Sequence, residues 1–315
     1  MSQNPDTPVD FAARTPVAGD LDVRWIHGSR RRSAAPDPPI QVHAYNEHTV
    51  ILRQSKAVHY EAPFMFLLFG NHRAMLLDTG ATPEPERFPL RATVDRLIES
   101  WLAAHPRSAY ALVVAHTHGH GDHVAADAQF ADRPDTTIVG RDPEAVRSFF
   151  GFGEAWPAEQ VGYDLGGRVL QIIGAPGHQQ AAIVFYDPYT GILLTGDTVL
   201  PGRLYARDFP VFADTVERLA AFAEAHPVSH VLGCHVEMTN RPGRDYPLGA
   251  RYQPDERPLP MTVAQLAAVR DAVRQAGTHA GVYAFDDFVV YHLPSRTATL
   301  RLVCRGLVNR VLLRR

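Results

Sequence analysis

From Ile40 onward, short apolar runs alternate with amphipathic stretches, and this alternation sets the first expectations. "IQVHAYNEHTVILRQ" reads as strand–turn–strand around "NEH", and "PFMFLLFG" with "RAMLLDTG" reads as a buried hairpin. Between Leu90 and Ala104 the apolar positions Val94, Leu97, Ile98, Trp101 and Leu102 recur at helical spacing, with Pro106 as the stop. "YALVVA" is a strand-like run that feeds a histidine-rich loop, after which "DHVAADAQFA" returns to helical composition and "TTIVG" to strand. "DPEAVRSFF" carries an Asp N-cap with Pro at the first helical position. "RVLQIIGA", "AAIVFYD" and "GILLTGD" predict three strands, the last two joined by the turn "DPYTG". "DTVERLAAFAEAHP" predicts a capped helix and "HVLGC" a short strand, and a Pro-rich connector leads to a helix over Thr262–Gln275. The closing runs "DDFVVYHL" and "LRLVCRGLVNRVLLRR" read as strands with a basic terminus. Hairpins interleaved with helices favour a layered α/β (α+β) fold over a bundle or a sandwich.

The pattern divides the chain into three stretches. Residues 1–39, rich in Pro, Asp, Ser and Arg, read as a loosely ordered lead-in with one short strand around Leu21–Ile26. Residues 40–260 form the main domain, and 261–315 supply a C-terminal helix and strands packed on that same domain.

Composition narrows the function classes. With 45% hydrophobic and 21% charged residues, a net charge of −3 and a pI near 6.6, the chain offers no electrostatic case for nucleic acid or an anionic membrane. The one basic cluster, Arg30-Arg31-Arg32, reads as a solvated loop. All of the 31 cationic residues except Lys56 are arginine, a compositional bias that lowers the weight of any single Arg as a functional clue. Cys234 and Cys304 make no disulfide framework and suit a reducing compartment. "MSQNPDTPVDFAARTPVAGD" lacks the apolar core of a secretory signal, and runs such as "FMFLLF" are too short to span a bilayer. The expectation is a cytoplasmic protein with a small-molecule partner, no nucleic acid and no membrane; a homodimer is compatible with all of this.

The loop "VVAHTHGHGDHVAA" then changes the picture. It packs His116, His118, His120, Asp122 and His123 together at the end of a strand-like run. A borderline ion such as Zn²⁺ takes imidazole nitrogen and carboxylate oxygen, and catalytic sites keep one position open. The frame His-x-His-x-Asp-His fits a single register, His118, His120, Asp122 and His123. Starting at His116 would put His120 at the Asp position and Gly121 at the last His, so His116 stands outside the frame. Four further residues end strand-like runs beside a glycine or a second motif: Asp78 in "LLDTG", His178 in "GAPGH", Asp197 in "LLTGD" and His235 in "LGCH". For Asp78 two roles compete, orienting a histidine or closing a turn.

In this order, "LLDTG", "HGHGDH", "APGH", "TGDT" and "GCH" resemble the successive motifs of the metallo-β-lactamase fold superfamily, over roughly Ile40 to His235. The resemblance implies an αββα sandwich, two mixed β-sheets flanked by helices, with the metals at one edge. It implies that His118, His120 and His178 hold one ion, that Asp122, His123 and His235 hold a second, and that Asp197 bridges them. Zinc is the first expectation for both ions, with iron or manganese as alternatives. Two departures stand out: Gln179-Gln180-Ala181 follows "PGH" where the family usually has Thr or Ser and then Pro-Gly, and nothing beyond His235 matches the helical substrate domain of glyoxalase II or a nuclease accessory domain.

The expected chemistry is hydrolysis by a metal-bridging hydroxide that attacks an ester, thioester or lactone carbonyl, with Asp122 also passing a proton. Competing readings are a phosphodiesterase or nuclease on the same ions, an iron-dependent oxidoreductase resembling persulfide dioxygenase, and a non-catalytic metal scaffold. For substrate contacts the candidates are Phe149, Phe152 and Trp156, on the Gly-hinged segment "FFGFGEAW", and Tyr205; packing against the sandwich is the competing role for the aromatic segment.

Overall fold

Runs that are apolar at every position need cover on both faces, and the fold supplies it. The computed structural model describes residues 7–12, 15–30, 37–293 and 296–312. The first half of the chain supplies β1 (Ile40–Asn46), β2 (Thr49–Gln54), β3 (Phe64–Phe69), β4 (Arg73–Leu77), α1 (Leu90–Ala104), β5 (Ala111–Ala115), α2 (Gly121–Val124), β6 (Thr136–Ile138) and α3 (Pro143–Phe150). Its six strands form one sheet in sequence order, antiparallel through β4 and parallel from β4 to β6. The second half supplies β7 (Gln160–Asp164), β8 (Val169–Gly174), β9 (Ile183–Asp187), β10 (Ile192–Gly196), β11 (Arg203–Ala206), α4 (Phe209–Ala225), β12 (His230–Gly233), β13 (Pro260–Met261), α5 (Val263–Ala276), β14 (Gly281–Ala284), β15 (Val289–His292) and α6 (Arg296–Leu312). A second sheet runs β13-β12-β10-β9-β8-β7, and a smaller one β11-β15-β14.

Period-two alternation sorts the side chains into layers. On β3, Phe64, Phe66 and Leu68 enter the core between the large sheets, where they join Ile172, Phe185 and Leu194. Met65, Leu67 and Phe69 face the other way, onto Val94, Ile98 and Trp101 of α1. The outer face of the second sheet, through Val184, Leu193 and Val231, packs on Phe212, Val216 and Leu219 of α4 and on Leu266, Val269 and Val273 of α5. The result is the expected αββα sandwich. At one end the two sheets are stapled by Arg168, fully buried, which donates to Asp187 (2.6 and 3.2 Å), to the Thr49 hydroxyl and to the carbonyls of His48 and Phe69.

Three local expectations are revised. No strand forms over Leu21–Ile26: the amide of Gln41 accepts from the Ile26 N–H (2.6 Å) and donates to the Arg24 carbonyl (3.1 Å), so a side chain takes the place of a ladder. The segment still lies against the sandwich, with Trp25 edge-on to Phe64 and a lone bridge from Gly28 to Tyr252. Of the basic cluster, Arg30 lies over the Tyr252 ring, and Arg31 and Arg32 fall outside the described residues. Next, α4 begins at Phe209 rather than near Asp214, because Asp208 caps it by accepting from the Val211 N–H and Pro210 is tolerated in a first turn. Finally, the described part of "LRLVCRGLVNRVLLRR", residues 300–312, is not strand. Both edges of β15 are already paired, with β11 and β14, and this part lies within α6, where Leu300, Val303 and Leu307 are exposed at helical spacing. No helix among the described residues is long and apolar enough to cross a membrane.

Candidate metal centre

Five strand ends meet at one edge of the sandwich. Parallel pairing of β4 with β5 sets Leu77 beside Ala115, so Asp78 and the loop from His116 emerge together. Parallel pairing of β10 with β12 does the same for Asp197 and His235, and β8 delivers the turn that carries His178. Two glycines permit the close approach. Gly196 has φ +54°, and a Cβ there would lie 2.6 Å from Thr117; Gly177 has φ +122°, and a Cβ would lie 2.4 Å from the Phe212 backbone. The Ile183 N–H donates to the Thr117 carbonyl (2.9 Å) and the Cys234 N–H to the Gly196 carbonyl (3.0 Å), which ties the ends together.

Asp78 is the hub of the loop. It is fully buried in the left-handed region (φ +67°) and accepts from the Thr117 N–H (2.8 Å), the Thr117 hydroxyl (2.9 Å), His123 Nδ1 (2.9 Å) and the Cys234 thiol (3.2 Å). Of the two roles open to it in the sequence, the geometry matches the orienting one: with Nδ1 held, His123 presents Nε2 to the cleft. His178 and His235 are aimed alike, because their Nδ1 atoms donate to the carbonyls of Tyr205 (3.1 Å) and Glu61 (3.3 Å).

The atoms so aimed fall into two groups. His118 Nε2 lies 2.8 Å from His120 Nδ1, which lies 3.0 Å from His178 Nε2. His235 Nε2 lies 3.3 Å from His123 Nε2 and 3.4 Å from Asp122 Oδ2. Asp197 reaches both groups, with Oδ2 3.9 Å and 3.7 Å from His118 and His178 and Oδ1 3.6 Å and 3.5 Å from His123 and His235. Oδ1 is buried yet accepts no hydrogen bond. A tetrahedral ion with ligands at about 2.0–2.1 Å holds them roughly 3.3 Å apart, which is the scale of these separations. The donor set, imidazole and carboxylate with one carboxylate facing both groups, therefore fits a pair of divalent ions.

Electrostatics separates the two groups further. Burial pushes His118 well below its ordinary value, with the charge of His123 adding to the effect; burial also lowers His120, and His178 to about 4, so these imidazoles are neutral with free lone pairs. The second group holds protons against its acids. Burial alone would lower His235, but Asp197 and a hydrogen bond to Asp122 raise it to about 9. Likewise burial would raise Asp197, but the charges of His235 and His123 hold it well below the usual carboxylate range. Burial raises the Cys234 thiol, and the Asp78 charge adds to it, so that sulfur stays protonated beside the second group.

The groups open on a cleft of about 330 Å³ whose wall includes Glu61, Leu200, Tyr205, Arg207, Glu237 and Leu248. Tyr205 thus borders the cleft as expected, but the aromatic segment does not. Gly151 ends α3 in the left-handed conformation and turns the chain back onto the core. Phe149 stacks on Tyr163, Phe152 meets Trp156 edge-on, and all three packing candidates belong to the core between the sheets. His116 stays outside both groups, buried with Nε2 3.2 Å from Asp127 and Nδ1 3.9 Å from Asp78. Glu61 and Arg207 were not anticipated. Arg207 sits ten positions beyond Asp197 at the end of β11, and only that placement could have singled it out among so many arginines.

The family model described as the metallo-beta-lactamase superfamily matches residues 61–231, more than half of the chain. The chain belongs to the metallo-beta-lactamase superfamily. Among curated proteins it is similar to hydroxyacylglutathione hydrolase of Rhizobium meliloti (strain 1021), 28% identical over 49% of this chain and 59% of that protein. It is also similar to the hydroxyacylglutathione hydrolase of Xanthomonas euvesicatoria pv. vesicatoria (strain 85-10), 32% identical over 33% of this chain and 40% of that one. The chain therefore spans 59% of the length of the first of these relatives and 40% of the second. Among solved structures, DIM-1 metallo-beta-lactamase superposes with a TM-score of 0.51 at 12% identity, over 76% of this chain and 99% of that one. A metallo-beta-lactamase from Pontibacter korlensis gives 0.50 at 16% identity, over 75% and 99%. At such identities these likenesses speak for the superfamily fold, two mixed sheets with flanking helices.

Proposed function

We propose that this superfamily member is a dinuclear metal-dependent hydrolase acting on an ester, thioester or lactone carbonyl of a small molecule. The observation that carries the reading is Asp197, which turns one oxygen to each cluster of ligand atoms. His118, His120 and His178 would hold one ion, and Asp122, His123 and His235 the other. When bound, such a pair supplies a water acidified towards neutrality and polarises the attacked oxygen. Asp122 would take and return a proton, a role supported by its position in the cleft wall with Oδ2 3.7 Å from His123 and 3.4 Å from His235. The name hydroxyacylglutathione hydrolase, borne by the relatives, favours an acyl substrate among these classes. Metal analysis joined to a turnover screen over thioesters, lactones, esters, β-lactams and phosphodiesters tests the reading. About two equivalents of zinc per chain with carbonyl turnover are expected; iron with oxygen uptake and no hydrolysis would overturn it.

The charge pattern predicts a proton signature. With His235 raised to about 9, its imidazole is protonated at pH 7 in the metal-free protein, whereas a ligand must be neutral. Metal binding should then release protons, and affinity should rise with pH up to about 9. Calorimetry at pH 7 in buffers of different ionisation enthalpy measures this directly, and heats that do not depend on the buffer would contradict it.

His116 gives a built-in control for the ligand assignment. His116→Ala should retain most of the bound metal, while His118→Ala loses the ion of the first group. Comparable losses in the two variants, read by metal content at equal fold stability, would place His116 among the ligands.

A further inference from the structure

Charge is unevenly distributed along this chain. Residues 296–315 hold six arginines (Arg296, Arg301, Arg305, Arg310, Arg314 and Arg315) and no acid. This run therefore carries +6, while the rest of the chain, with 25 cations against 34 acids, carries −9. A net charge of −3 averages over that segregation, which is why the whole-chain balance makes no case for a membrane. Most of the run forms α6, which touches β14, the edge strand of the small sheet. Five large apolar side chains are exposed among the described residues, and three of them lie on this helix: Leu300 (63%), Val303 (47%) and Leu307 (54%). Their spacing of three and four residues sets them in one stripe, and the exposed Cys304 falls among them. Leu302 falls on the opposite side of the helix and is half-buried, so the stripe is the face turned away from the protein.

We propose that α6 docks the protein on an anionic lipid surface, lying flat with Leu300, Val303 and Leu307 below the headgroups and its arginines paired with lipid phosphates. The inference is independent of the chemistry at the metal cleft. Single exposed apolar residues are ordinary, but a contiguous exposed stripe marks a surface that meets something. Lipid answers both features at once, because the acyl boundary takes the apolar stripe and the headgroups take the charge. Nucleic acid would use the arginines through its phosphates and leave the leucines in water. A second copy packed helix on helix would cover the leucines, but it would bring arginine against arginine with no acid in the run to neutralise them. With four arginines in its 17 residues, α6 lies on a bilayer rather than across it.

The test uses the full chain and a thiol it already carries. Cys234 is buried and Cys304 exposed, so a nitrobenzoxadiazole fluorophore should attach to Cys304 alone in the folded protein. Its emission should brighten and shift to the blue with vesicles of phosphatidylcholine and phosphatidylglycerol in a two-to-one ratio, and change little with phosphatidylcholine alone. Unlabelled wild type should co-sediment with the anionic vesicles and be released by high salt, which screens the lipid charge. Two double variants, Leu300→Ala with Leu307→Ala and Arg296→Ala with Arg301→Ala, should each weaken co-sedimentation ~10- to 100-fold. All four side chains are exposed, so melting temperatures close to that of wild type are expected. If a variant fails to fold, labelled wild type decides alone. No response to either vesicle, or equal responses to both, overturns the proposal, as does co-sedimentation unmoved in both double variants. A response to duplex DNA with none to vesicles would assign the helix to nucleic acid instead. A dimer in sedimentation equilibrium that the leucine pair abolishes, with vesicles left unbound, would assign it to a second copy, and either result overturns the lipid reading.

Discussion

Replacing Asp197 by Ala should strip bound metal and abolish turnover in a single step. Each of its oxygens faces a different set of imidazoles, so no other residue in the cleft can substitute for it. Expected loss of kcat/KM is at least about a thousandfold, roughly 4 kcal/mol of transition-state stabilisation. Asp197→Asn keeps the shape and removes the charge, and it should lose metal nearly as completely. Full turnover with intact metal in either variant would refute the assignment. The same change alters the stability of the metal-free protein, and the sign can be worked out. His235 is raised to about 9, so its contribution to stability is complete below its unfolded value near 6.5 and fades as pH rises through 9. Asp122 is lowered to about 2, so its contribution is complete above about 3.9 and fades as pH falls through 2. The His235–Asp122 pair should therefore stabilise the metal-free wild type most between about pH 4 and 6.5. Removing Asp197 takes away the charge that raises His235, and the high-pH side of that window should flatten. Thermal melts of the chelated proteins across pH would show it.

How much of this was legible in the sequence depends on the range of the interaction. The register of His118, His120, Asp122 and His123 is local, since eight positions hold the whole motif, and its reading needs no knowledge of the fold. His178, Asp197 and His235 follow strand-like runs, so a layered fold brings them to one edge once parallel pairing is granted. Asp78 was recognisable as a motif, but its role as a fourfold acceptor depends on contacts to Thr117, His123 and Cys234 that span 39 to 156 residues. The aromatic segment shows a different limit. Composition marks Phe149, Phe152 and Trp156 as apolar and hinged, but where the segment folds is set by the left-handed Gly151 and by packing against Tyr163 and Phe150 in the core between the sheets. Arg207 was masked by composition, because a chain with a single lysine makes every arginine look ordinary. The last run misled for a more elementary reason: its apolar residues satisfy helical and extended spacing alike.

Arg168 was equally invisible, and its replacement should cause the largest loss of stability that leaves the cleft untouched. Its guanidinium is wholly buried and its main partner, Asp187, lies 19 residues away across a turn, at a separation no local pattern records. Arg168→Met removes one ion of a buried pair and leaves the other; breaking such a pair costs about 3–5 kcal/mol. The lower part of that range is expected, because Asp187 keeps the Thr190 hydroxyl (2.6 Å) and the Tyr189 N–H (3.3 Å) as donors. Against this, the carbonyls of His48 and Phe69 lose a donor in a place water reaches poorly. The melting temperature should fall by about 5 °C. Arg168 stands at the start of β8 and His178 beyond its end, so roughly 20 Å of strand separates the staple from the cleft. Metal content and turnover at 25 °C should hold in Arg168→Met while the melt drops. Asp187→Leu combined with Arg168→Met should recover part of the loss, since no charge is then left unpaired. A double variant that melts as low as the sum of the two single ones would show that the pair contributes by packing rather than by charge.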